Sequence, residues 1–263
     1  MNQKPTFLGQ SNPLLCCMIQ THDPEEAIIT ARNAAFDGAD AYGFQYCKIE
    51  HEHRTEDKIK RVFRHMENKP IYVTNYRGSR NKDVLNDDDL GEGLVTLVKW
   101  GATLCDVMGD LYAQHPMELT EDTTAIEKQR RLIDRIHEAG GEVLMSSHVL
   151  KYTPAEEVLR IAHEQVRRGA DIVKIVTAAN SEAEELENLR ITALLKNELK
   201  VPFLFLSGGS HNKLHRMIGP MLGCCMYLCV QQHDRISTKS QPVLRAVRQV
   251  LSNFDYAPER SFD

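Results

Sequence analysis

The run ADIVKIV carries one lysine, Lys174, which shares a strand face with Ile172 and Val176. An ammonium group among such neighbours is poorly solvated, and desolvation favours the neutral amine, the form able to attack a ketone. The same residue could instead snorkel to solvent from an edge, or pair with a carboxylate. Upstream, His148 closes the run VLMSSH. An imidazole there could shuttle protons at neutral pH, or could serve as a hydrogen-bonded structural residue. A lysine on the adjacent strand strengthens the first reading, because neighbouring strands lie about 5 Å apart and two such side chains can share one substrate. Arg216 follows the small-residue turn LSGGSHNKLHR. Gly208, Gly209 and the helix start after them favour an anion, and an arginine can grip a carboxylate with two parallel bonds. A solvated arginine on a helix surface would read the same way.

These residues need a scaffold that gathers strand ends. The chain repeats a unit in which a charged helix ends at glycine and an apolar run follows: DGADAYGFQY (37–46), WGATLCDVM (100–108), AGGEVLMSSH (139–148) and RGADIVKIV (168–176). Glycine supplies the left-handed residue after a helix, and the short run reads as a buried parallel strand. LLCCMI (14–19), PIYVTNY (70–76), VPFLFL (201–206) and CCMYLCV (224–230) bring the candidate strands to eight. Amphipathic stretches at 24–36, 124–139, 154–168 and 183–198 predict helices, with further helices near 56–67, 88–99, 211–222 and 241–254. Regular alternation without a dinucleotide-type glycine motif predicts one (β/α)₈ TIM barrel domain over residues 1–263, and a length of 263 residues suits that fold. Chemistry in such barrels sits at the C-terminal ends of the strands. Those ends present Gln45 and Cys47, Arg77, Met108, His148 and Ser207, with Lys174 inside the sixth strand.

Composition narrows the function classes. A net charge of −5 argues against nucleic acid or an anionic membrane as the main partner. No stretch approaches a membrane span in length, and the N-terminus lacks a signal-peptide core, so a cytoplasmic enzyme is expected. Seven cysteines in short apolar runs read as buried reduced thiols. His51-Glu52-His53 lies in the charged stretch KIEHEHRTED and reads as a solvated loop rather than a metal site. The acidic run NDDDLGEG (86–93) reads as a helix entry. No metal and no cofactor are expected.

The chain resembles the type I 3-dehydroquinate dehydratases, most strongly from Gly140 to Leu251, where EVLMSSH, TPAEEVL and RGADIVKIV follow in order. The resemblance implies a (β/α)₈ barrel, usually dimeric, that dehydrates 3-dehydroquinate to 3-dehydroshikimate. It makes Lys174 the Schiff-base lysine and His148 the general acid/base. Arg216 would bind the substrate carboxylate, Ser237 and Gln241 would belong to the loop after strand eight, and Arg77 would end strand three. Where the family ends strand two with Glu-x-Arg, this chain has Gly43-Phe44-Gln45, and Asn81 stands near the position of a glutamate after strand three. Retained chemistry on a small-molecule keto acid is therefore expected, with Gln45 among the substrate contacts. The alternatives are a class I aldolase using Lys174, and a non-catalytic ligand-binding barrel.

Overall fold

The computed structural model describes residues 5–66 and 68–253. Strands and helices alternate along the chain: β1 (Leu14–Ile19), α1 (Pro24–Phe36), β2 (Ala41–Gln45), α2 (Glu56–Arg64), β3 (Ile71–Thr74), α3 (Asp87–Trp100), β4 (Leu104–Met108) and α4 (Thr123–Glu138). The second half continues with β5 (Glu142–His148), α5 (Ala155–Arg167), β6 (Ile172–Ala178), α6 (Glu182–Glu198), β7 (Phe203–Gly208), α7 (Lys213–Ile218), β8 (Met226–Cys229) and α8 (Leu244–Leu251). Every strand pairing is parallel, in the order β7-β6-β5-β4-β3-β2-β1-β8. The remaining seam is drawn together by the Cys225 amide, which donates to the Phe203 carbonyl at 2.9 Å. The result is the expected (β/α)₈ barrel.

Period two along each strand sorts side chains into two apolar bodies. Cys16, Met18, Ala41, Tyr72, Leu104, Leu144, Ile172, Leu204 and Met226 fill the barrel. Their sequence neighbours Leu15, Cys17, Tyr42, Ile71, Val73, Cys105, Val143 and Tyr227 point outward and pack with helices such as α1 and α3. The glycine after a helix has the expected left-handed backbone, as at Gly101 (φ 122°) and Gly169 (φ 102°). The acidic run is a helix entry: Asn86 accepts from the amides of Asp88 and Asp89, while the Asp89 carboxylate takes the Asn86 amide. All seven cysteines are buried, and Cys16, Cys17, Cys47, Cys105 and Cys229 are free thiols.

Three helices differ from the periodicity. The stretch 211–222 gives only the six-residue α7 and a 3₁₀ turn, Gly219–Leu222, because Pro220 has no N–H to continue the ladder. The last helix starts at Leu244, after Pro242, rather than at 241, and Phe254 lies outside the described residues. The second ends at Arg64, short of the expected 67.

Candidate active site

Lys174 lies at the centre of β6, in register with Ser146 of β5, and 3% of its surface is exposed. The lysine is not isolated among apolar groups, which corrects the reading from its strand neighbours alone; of the alternatives, the carboxylate pair holds. Its Nζ donates to Asp106 Oδ2 (2.9 Å), to the Tyr76 hydroxyl (2.8 Å) and to the Tyr72 hydroxyl (3.0 Å). Asp106, 1% exposed, comes from β4. Its Oδ2 also accepts from both tyrosine hydroxyls, at 2.5 Å for Tyr76, and its Oδ1 accepts from Ser146 at 2.5 Å. Burial alone would raise the Asp106 carboxyl, but Lys174, His148 and the hydroxyl donors outweigh it and hold the group below its ordinary value. The same burial, reinforced by Asp106, pushes both phenols well up, so they remain donors at neutral pH. The lysine is thus a charge-compensated, fully hydrogen-bonded group on the barrel interior.

His148 stands two residues beyond Ser146, on the same face of β5, where the strand opens into a loop. Its Nδ1 meets Glu118 Oε2 at 2.6 Å, and the same carboxylate oxygen accepts the His148 amide. A carboxylate on Nδ1 sets the tautomer and leaves Nε2 for proton transfer. The Tyr76 ring stands edge-on to the imidazole, with centroids 5.4 Å apart. Tyr76 therefore touches both the amine and the histidine.

Arg216 is buried at 7% exposure rather than lying on a helix surface. Its Nε donates to the Ser207 carbonyl at 2.6 Å, at the end of β7. Among the described residues no carboxylate lies within ion-pair distance of it, and burial lowers its guanidinium to about 10. A buried cation without a protein counter-ion is costly and suits an anionic ligand.

The other expected contacts divide. Gln241 is buried beside Gln20, whose Nε2 reaches Gln241 Oε1 at 3.4 Å. Gln20 also exchanges two bonds with Thr238, fastening the loop after β8 to the end of β1. The Ser237 hydroxyl is turned into that loop, accepting from the Asp234 amide at 2.8 Å. Ser237 also lines a cavity of about 30 Å³ with Met18 and Gln20. Gln45 sits half-buried at the end of β2, in register with Thr74. Arg77 is held by protein partners. Its Nε and Nη2 hold the Asp87 carboxylate at 2.7 and 2.8 Å, and Nη1 and Nη2 hold Asp110 at 2.6 and 2.7 Å. With Met108 Sδ on Nη1 as well, its five donors are all engaged inside the protein. Asn81 is likewise structural, bonded to Asn75, Tyr76 and Arg54. The space over Gly43 is closed by a side chain: a Cβ there would come within 2.1 Å of Met18 Sδ.

Sequence reasoning passed over Asp106, Tyr72, Tyr76 and Glu118. A signal existed for Asp106, since a lone carboxylate in LCDVM alternates with Leu104 and Met108 on the inward face. Glu118 had none. It lies in an irregular loop with φ 45° and reaches His148 only through the fold.

Comparison with known proteins bears on the family and the fold. The curated 3-dehydroquinate dehydratase of Alkaliphilus oremlandii is 33% identical over 109 residues, 41% of this chain and 42% of that protein. That of Klebsiella pneumoniae subsp. pneumoniae is 33% identical over 140 residues, 52% of this chain and 54% of that one. The matched stretches thus span about half the length of these curated relatives or less. The crystal structure of 3-dehydroquinate dehydratase from Geobacillus kaustophilus superposes with a TM-score of 0.78 at 18% identity, covering 93% of this chain and 91% of that one. The type I enzyme from Clostridium difficile, solved with covalently modified comenic acid, gives 0.77 at 16% identity, over 96% and 98%. The sequence model described as Type I 3-dehydroquinase matches residues 15–257, so the chain belongs to the type I 3-dehydroquinase family.

Proposed function

We propose that this chain, as a single barrel domain, is a carbon–oxygen lyase that dehydrates 3-dehydroquinate to 3-dehydroshikimate through an imine on Lys174. One observation carries the reading: the Lys174 amine and the Glu118-held imidazole of His148 meet across Tyr76 from neighbouring strands. The names of the curated relatives support the substrate. Arg216 supplies the charge for the substrate carboxylate, with Gln241, Ser237 and Gln45 on the same half of the rim. Arg77, whose donors are engaged internally, stabilises the loops under the site. Once the ketone is held as a protonated imine, the α-proton becomes acidic because the iminium accepts its electrons. His148 takes that proton and returns one to the departing β-hydroxyl, so the ring loses water and the histidine is restored.

One observation favours a relative of that substrate. Met18 fills the space over Gly43, so this wall presents a thioether where a hydroxyl-bearing ring would need polar partners. A cyclic hydroxy-keto acid with fewer hydroxyls on that side fits it better. A cytoplasmic homodimer belongs to the same proposal. The free buried thiols of Cys16, Cys17, Cys47, Cys105 and Cys229 support a reducing compartment. Ile29 and Phe36, 60% and 92% exposed and seven residues apart on α1, support contact with a second copy. Among the described residues no helix is long and apolar enough to cross a membrane.

The test is turnover of 3-dehydroquinate, followed by the absorbance of the conjugated enone. The protein as it stands should produce it, Lys174→Met should not, and His148→Ala should be slower by roughly 10²–10⁴-fold. No product from the unaltered protein would remove this substrate. Near-normal turnover by His148→Ala would remove the histidine from its role.

A further inference from the structure

Imine formation sets a proton count that His148 alone does not explain. The Lys174 ammonium carries three hydrogens and a protonated imine carries one. Two protons must therefore leave Nζ, and both end on the water expelled from the ketone oxygen. Each needs a group that touches Nζ and can also deliver to that oxygen. Among the described residues Nζ touches three: Asp106, Tyr72 and Tyr76. Asp106 and Tyr72 are fully buried inside the barrel. Tyr76 lies past the end of β3, is partly exposed, and stands against the His148 ring.

Building on the imine chemistry proposed above, we infer that the Tyr76 hydroxyl is a catalytic group of the imine-forming steps, relaying protons between Lys174 Nζ, Asp106 and the substrate's carbonyl oxygen. The relay is already aligned. Nζ–H points to Tyr76 Oη at 2.8 Å, and Tyr76 Oη–H points to Asp106 Oδ2 at 2.5 Å. A hydrogen passing from Nζ to Oη, while the phenol hydrogen passes to Oδ2, leaves a neutral amine and a protonated Asp106. The nitrogen lone pair then forms the C–N bond and the carbonyl π electrons move to oxygen. That oxygen takes the Tyr76 hydrogen, and Asp106 restores the phenol. A second passage along the same path protonates the carbinolamine hydroxyl. As the C–O bond breaks, the nitrogen lone pair closes the C=N bond and water leaves. Both nitrogen hydrogens are accounted for, and Asp106 and Tyr76 return to their starting states. Burial and Asp106 hold the phenol protonated between transfers. The site thus has two proton circuits: Tyr76 with Asp106 for nitrogen, and His148 with Glu118 for carbon.

The test is the rate at which borohydride traps the Lys174 adduct in a single turnover of 3-dehydroquinate, read by mass. Y76F should trap on the order of 100-fold more slowly, in the range of one positioned acid–base group. Y72F, which loses a similar bond deeper in the barrel, should stay within about fivefold. Trapping by Y76F at the unaltered rate, or an equal fall in Y72F, would overturn the relay. Replacing Tyr76 with 3,5-difluorotyrosine keeps the hydroxyl while making it more acidic. The pH profile of trapping should then move to lower pH, and an unmoved profile would also overturn the relay. If the unaltered protein forms no adduct with 3-dehydroquinate, that substrate is lost, and the same variants are compared with pyruvate. A slower pyruvate adduct in Y76F alone would sustain the relay; no adduct on Lys174 with either compound would end both proposals.

Discussion

The two halves of the barrel interior are built on opposite principles. From β3 to β6 the inward positions hold Tyr72, Asp106, Ser146 and Lys174, joined by hydrogen bonds in which the buried charges find partners, with His148 beyond them held by Glu118. From β7 round to β2 the same layers hold Leu204, Leu206, Met226, Leu228, Cys16, Met18, Ala41 and Gly43. Polar groups return there at the rim, among them Gln20, Gln45, Gln241 and Arg216. The first half carries reactive groups whose burial is offset by mutual pairing. The second half shapes the space and holds Arg216, which among the described residues has no carboxylate partner, for the ligand to neutralise. A substrate can therefore change against the second half while the chemistry of the first stays fixed.

The sharpest way to break the comparison is to remove the anion of the first half. Asp106→Ala leaves Lys174 buried without its carboxylate and should cost about 3–5 kcal/mol in urea unfolding. A loss below about 1 kcal/mol would mean that water, not Asp106, compensates the lysine. The sign of the acid dependence follows from the depressed Asp106 carboxyl. Its stabilisation is complete above the unfolded value near about 3.9 and is lost as pH falls through the lower folded value. Asp106→Asn should therefore flatten the acid limb of the stability curve.

Arg216→Gln should barely affect folding, because no acid partner among the described residues is stranded. It should lower kcat/KM about 10–150-fold through KM, the worth of one charged hydrogen bond at about 1.5–3 kcal/mol. An unchanged KM would place the substrate carboxylate elsewhere.

Gly43→Ala brings a Cβ onto Met18 Sδ and should cost about 1–3 kcal/mol by overpacking. Met18→Ala in the same chain should relieve that clash, so the double variant should be less destabilised than the two single effects summed. Simple additivity would show that Met18 does not fill the wall.

A pH-dependent effect concerns the neighbour of Arg216. Burial, then the Arg216 charge, lower His215 from 6.5 to about 3. The unfolded chain binds a proton there first, so stability falls by about 1.4 kcal/mol per pH unit as pH drops from 6.5 towards 3. His215→Gln should remove that slope, seen in unfolding midpoints across the window.

The barrel was legible because its signals are local: period-two runs, glycines after helices, acidic first turns. Lys174 and His148 were legible for the same reason, since each sits on an inward face of an apolar strand. What escaped depends on register and long-range return. The partnership of Lys174 with Asp106 requires two non-adjacent strands to face one another across the barrel. Glu118 reaches His148 through a loop without periodicity. Arg77 looked like a ligand contact because it follows β3, yet Asp87 of α3 and Asp110 after β4 engage its donors first. Gly43 read as a missing side chain, but Met18 on the next strand fills the space.

The central claim is that the polar half makes a covalent bond to its substrate. Treating the protein with 3-dehydroquinate and borohydride, then locating the added mass by peptide mapping, tests it most directly. One equivalent is expected, on the peptide containing Lys174, and none in Lys174→Ala. Unmodified Lys174, or adducts scattered over surface lysines, would contradict it.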